Sequence, residues 1–169
     1  MKNQILRFAA LAGLMMLVTA CPYQSKVPIT PAEEKLNKKI FGEWISDADM
    51  ETENPTYYKI GKFNKTKYDV VEFSYSSYDS IYKETQYWMH SSTVGDRTFM
   101  NIEKAGSSDG FYLYYIEIGD GEFTLFEVSE NIDEQFTSSL DLKNFVEKHM
   151  NLSFFYSKTE TKYIKKPKK

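Results

Sequence analysis

Val71-Glu72-Phe73-Ser74-Tyr75-Ser76 places an apolar or aromatic residue at every odd position and a polar one at every even position. A period of two is what a β-strand shows when one face packs on a core and the other meets water. Val71, Phe73 and Tyr75 therefore share one face, and Glu72, Ser74 and Ser76 share the wet one. Segments of the same kind recur on both sides, at 57–62, 68–76, 82–92, 97–103, 111–118 and 122–129, with an opening strand at Ile40-Phe41-Gly42-Glu43-Trp44-Ile45. Between them lie turn sequences such as Phe63-Asn64-Lys65-Thr66, Ser77-Tyr78-Asp79-Ser80, Gly95-Asp96 and Gly119-Asp120-Gly121. Such short links join antiparallel neighbours, because a parallel crossover needs a dozen residues or more. The sheet is a meander.

Phe111-Tyr112-Leu113-Tyr114-Tyr115-Ile116 is apolar or aromatic on both faces, so its second face needs a cover. Ser138 and Asp141 signal a helix start, and Leu142, Phe145, Val146 and His149 form one stripe. An amphipathic helix at 139–150 supplies that cover. A last strand at 159–165 can then return beside the first, which removes both exposed edges. The expected fold is mainly β: an antiparallel up-and-down meander closing into a barrel of roughly eight strands. The alternative is an open β-sandwich of the same strands, since counting strands does not establish closure.

Residues 1–20 combine the positive Lys2 and Arg7, an apolar run from Phe8 to Val18 and the small pair Thr19-Ala20. That run is shorter than the roughly 20 residues of a membrane span, so it reads as a cleaved signal. It ends at Leu17-Val18-Thr19-Ala20-Cys21, which holds the only cysteine of the chain. Val18-Thr19-Ala20-Cys21 resembles the lipobox of bacterial lipoproteins. The resemblance implies that Cys21 becomes the mature N-terminus and carries a thioether-linked diacylglycerol and an N-acyl chain. It implies a lipid anchor in the bacterial cell envelope, with the outer membrane favoured over the inner. Two or three acyl chains make such attachment effectively permanent. The alternative is an ordinary secretory signal that leaves a free thiol.

Removing that segment leaves 149 of the 169 residues, the size of one ordinary domain. The remaining 19 basic and 24 acidic residues make it acidic, which argues against a nucleic-acid partner. Residues 21–30 read as a proline-bearing tether, and 31–169 as the domain. Thr30-Pro31-Ala32-Glu33 has the form of a helix start, with a helix expected to about Lys39.

Gly42-Glu43-Trp44 at the first strand resembles the lipocalins, in which this indole plugs the closed end of the barrel. Roughly eight strands with a helix before the last one resemble the same fold group. Lipocalins cover the indole with an arginine late in the barrel, whereas Arg97, the only arginine after the signal, lies mid-chain. As a whole the chain resembles uncharacterised bacterial lipoproteins with a lipocalin-like β-domain, and that resemblance implies no activity.

The chain after the signal is rich in aromatics, with Trp44, Trp88, 13 tyrosines and, without Phe8, 11 phenylalanines. Trp44, Tyr75, Tyr87, Tyr112 and Tyr114 are the candidate lining of a ligand cavity, with flat apolar walls and polar tips. The same residues would equally serve to fill a core.

Asp47, Asp49, Glu51 and Glu53 alternate along a loop but lack the glycine and terminal glutamate of a calcium-binding EF-hand. His90 and His149 stand on separate elements without metal-ligand spacing. No catalytic, metal or cofactor residue is assigned beyond the lipid on Cys21. Lys162, Lys165, Lys166, Lys168 and Lys169 read as a solvated terminus, or as a tail for anionic lipid. Two functions follow as expectations: a lipid-anchored, non-enzymatic envelope protein whose barrel holds a small hydrophobic ligand, or a filled barrel that docks another envelope component.

Overall fold

The computed structural model describes residues 23–129 and 132–167. Residues 1–22 lie outside the described residues, and with them the signal, the lipobox and Cys21. The described chain forms β1 (Gln24–Ser25), β2 (Gly42–Ser46), β3 (Tyr57–Lys62), β4 (Tyr68–Ser76), β5 (Ile81–Val94), β6 (Arg97–Lys104), β7 (Phe111–Ile118), β8 (Glu122–Val128), α1 (Ser139–His149) and β9 (Tyr156–Lys165).

Strands β2 to β9 pair each with its chain neighbour, and β9 also pairs with β2, so eight antiparallel strands close into a barrel. The open sandwich is thereby excluded. Turn chemistry sets the registers locally: at the β3–β4 turn the Asn64 side-chain oxygen accepts from the amides of Thr66 and Lys67 at 2.9 and 2.8 Å. β8 leaves β7 beyond Tyr114, and β1 takes up the remainder of that edge, with Gln24 opposite Tyr112.

The two cores follow from strand alternation. Inside the barrel Ile40, Trp44, Ile60, Tyr68, Val70, Met89, Met100, Ile116 and Phe123 pack together. A second core lies outside the wall, where Leu142 and Val146 of α1 cover Phe99 and Leu113. Fully burying each such side chain contributes about 1.5–3 kcal/mol, so this outer layer is a substantial part of the domain's stability. The outer face of the 111–116 stretch is thus covered in part by the helix that the stripe predicts, with Tyr23 and Ile29 completing the same layer. Ser138 caps that helix by accepting from the Asp141 amide, while Lys148 and His149 sit favourably at its C-terminal end.

Three expectations change. The stretch read as a tether is docked from Tyr23 onward: Tyr23, Ser25 and Ile29 are buried, Ile29 completely. It runs down the outside of β6 and β5 as a strap, held by a buried polar network. The Asn101 side-chain oxygen accepts from the Ile29 amide at 2.8 Å, and its nitrogen donates to Ser92 Oγ at 2.8 Å and to the His90 carbonyl at 3.3 Å. His90 Nε2 lies 2.9 Å from the Thr30 carbonyl, where its N–H donates. The strap passes so close to Gly110 that a β-carbon there would lie 2.4 Å from the Ser25 carbonyl oxygen.

The helix expected from Thr30 to Lys39 does not form, and only a 3-10 turn at Lys38–Ile40 does. The barrel wall takes the helix's would-be N-cap, Thr30, and also Glu34, the neighbour of the expected capping-box Glu33. The Thr30 hydroxyl lies 2.6 Å from Ser92 Oγ, and the Glu34 carboxylate accepts from the Thr93 amide at 2.5 Å. Tertiary hydrogen bonds here outweigh a local start signal.

The lysine run is also not a loose tail through Lys166. Lys162 pairs with Glu122 at 2.7 Å, and the Lys166 ammonium stands 3.4 Å from the Tyr57 ring centroid. Lys168 and Lys169 lie outside the described residues.

Candidate functional site

The two ends of the barrel differ. Strand directions put the short turns at 63–67, 95–96 and 119–121 at one end, and the connections at 47–56, 77–80, 105–110 and 129–155 at the other. The short-turn end is closed by the 3-10 turn and the indole of Trp44. Trp44 Nε1 donates to the Ile40 carbonyl at 2.7 Å, and its ring packs edge-on to Phe123 at 4.7 Å. Lys165, opposite Trp44 across β2 and β9, sets its ammonium 3.7 Å from the indole centroid and donates to the Phe41 carbonyl. A late-strand cation therefore covers the plug.

Above this plug the barrel is not filled. A cavity of about 370 Å³ remains, within the range of small-molecule sites. Its deeper wall is aliphatic and aromatic, with Ile40, Ile60, Val70, Met89, Ile116 and Phe123. Toward the long-loop end the wall turns polar, with Tyr58, Tyr87, Tyr112, Tyr114 and Tyr163 beside the carboxylates of Glu72 and Glu127.

Cross-strand register produces this grouping. Tyr58 stands directly opposite Glu72 across β3 and β4, and Tyr114 opposite Glu127 across β7 and β8. The Tyr87 hydroxyl donates to Glu72 at 3.3 Å. The phenols are held protonated. Burial, then the neighbouring phenol of Tyr163 and the charge of Glu72, pushes Tyr58 well above the usual tyrosine range. Burial and Glu72 push Tyr87 up to about 12. Tyr163 is pushed up to about 12 by burial and the charge of Asp49, and Tyr114 is raised by burial and Glu127. Near neutral pH these side chains offer neutral rings and hydroxyl donors.

Of the sequence candidates, Tyr87, Tyr112 and Tyr114 stand on the cavity wall. Trp44 lies below as the plug. Tyr75 is on the opposite face of β4, outside the barrel, with its ring 5.5 Å from Tyr82 beside a stacked Tyr57–Phe73 pair. The strand alternation holds, but its sense is reversed. Val70 and Glu72 point in, whereas Val71, Phe73 and Tyr75 point out into an aromatic patch with the side chains of β3 and β5.

Sequence reasoning missed Tyr58, Glu72, Glu127 and Tyr163. The signal that could have found Glu72 is its spacing from Tyr68 and Val70, a large and an aliphatic residue on the same face. Asp49 of the acidic loop accepts from the Ser46 hydroxyl at 2.6 Å, which ties it to the strand end. Among the described residues no three His, Cys, Asp or Glu side chains gather as a metal site would require. His90 is committed to the strap, and His149 packs on Phe145 with centroids 4.4 Å apart. No helix among the described residues is long and apolar enough to cross a membrane. No family model, curated protein or solved structure matches this chain.

Proposed function

We propose that this chain is a lipid-anchored envelope protein that binds a small, largely hydrophobic molecule in its barrel and does no chemistry on it. The single observation that carries the binding half is the unfilled cavity of about 370 Å³ above a sealed, apolar floor. A core that only needed stability would fill such a space with side chains, because protein interiors pack to the density of organic crystals. The anchoring half rests on the lipobox-like residues ending at Cys21.

The test is titration of the protein with the neutral fluorophore N-phenyl-1-naphthylamine, beside a Leu125→Trp variant that places an indole in the cavity. Saturable fluorescence enhancement that the variant loses while remaining folded supports the reading. Absence of any enhancement overturns it. Cys21→Ser should release the protein from the membrane fraction.

A second reading, docking of another envelope component, draws support from the β4–β5 turn. There Tyr78 is 95 % exposed and Ile81 55 % exposed, both large apolar surfaces turned to solvent.

A further inference from the structure

We infer that the cavity selects organic cations: a protonated or quaternary amine carried on a short apolar body. This rests on the binding reading above and names the class of ligand. The polar part of the wall holds two carboxylates and five tyrosines, and among the described residues that line it there is no lysine, arginine or histidine. A carboxylate facing an apolar cavity is costly unless a cation or strong donors meet it, and Glu72 receives one long hydrogen bond from Tyr87. An incoming ammonium group supplies a counter-charge to Glu72.

The tyrosines favour the same class. Their neutral rings present electron-rich faces, which attract cations most strongly where water is excluded. A fatty-acid carboxylate would instead meet two like charges in the same confined space. The long floor of Ile60, Val70, Met89 and Ile116 receives the apolar body, while the ammonium stops at the level of Glu72 and Glu127.

The approach is biased as well. The β2–β3 loop at the open end carries Asp47, Asp49, Glu51 and Glu53 and no basic residue, so it steers cations inward. Two lysines occupy inward positions on the strands near this end. Lys83 is held by Asp79 at 2.5 Å, and Lys104 is exposed and outside the lining. Neither pairs with Glu72.

Calorimetric titration of the full chain with octyltrimethylammonium, octanol and octanoate separates charge from apolar body. The cation should bind about tenfold more tightly than octanol, octanoate should bind more weakly than either, and added salt should weaken the cation alone. Glu72→Gln keeps an acceptor for Tyr87 and should reduce the preference for the cation over octanol about tenfold. Equal binding of all three probes to the unaltered protein overturns the cation inference and leaves the binding reading standing. Binding of none of them, together with no fluorophore binding, removes both. Should Glu72→Gln fail to fold, the order of the three probes and its salt dependence on the unaltered protein decide alone.

Discussion

Replacing Asn101 by alanine tests whether the segment from Tyr23 to Thr30 belongs to the domain or merely leads to it. The side chain is fully buried and makes three hydrogen bonds, two at 2.8 Å and one at 3.3 Å, to the Ile29 amide, Ser92 Oγ and the His90 carbonyl. At about 1 kcal/mol for each lost bond, with the Ile29 N–H stranded in a dry environment, the change should cost about 3–4 kcal/mol. For a chain of this size that lowers the melting temperature by roughly 6–16 °C.

The strap can also lift away instead of leaving its amide unpaired. The cost is then limited to its docking energy, to which burial of Tyr23 and Ile29 contributes about 1.5–3 kcal/mol each. Thermal unfolding measured together with hydrogen exchange at the Ile29 and Thr30 amides separates the two routes. A large melting shift with those amides still protected means strain in place. A smaller shift with both amides exchanging freely means local detachment. An unchanged melting temperature with unchanged protection would refute the argument, because the network would then hold nothing.

Two further outcomes follow from the closed end and the strap. Gly42 has φ of +130°, and a β-carbon there would lie 2.7 Å from the Lys165 ammonium, so Gly42→Ala should cost about 1–3 kcal/mol in urea unfolding and change Trp44 fluorescence as the cation is displaced. His90 is 3 % exposed, and burial holds its pKa below the usual histidine value. The unfolded chain therefore takes up this proton first as pH falls through about 6.5, and stability should decline from there until the folded-state pKa is passed. His90→Gln should flatten that part of the stability profile, and an unaltered slope would count against a buried neutral imidazole.

The strands were legible because their causes are local. Period-two alternation and compact turn sequences place β3, β4 and β7 within the bounds observed, and the 142–146–149 stripe places the helix on the face of β7 that needed cover. The direction of each face was not legible. In β4 the period is plain, but Val71, Phe73 and Tyr75 are apolar because Tyr57 and Tyr82 join them outside the wall, not because they reach the core. Glu72 consequently looked like a solvent residue although it lines the cavity.

The strap was hidden for a different reason. Its hydrogen bonds join residues 60 to 72 positions apart in the chain, and no window of local sequence carries that information. Lys165 was similarly obscured, since a lysine run at a terminus gives no sign that one member crosses a tryptophan ring.

Closure of the ring joins β2, the first strand of the barrel, to β9, the last. Until residues near 165 are available, β2 and β8 each present a row of unpaired amides and carbonyls, and the Trp44 plug lacks its Lys165 cover. A chain emerging in order thus passes through a stage in which almost all of the wall exists with two sticky margins. Contacts of such long sequence separation also form slowly. The same strand that completes the container therefore ends the interval in which the nascent chain is most vulnerable to joining another copy of itself.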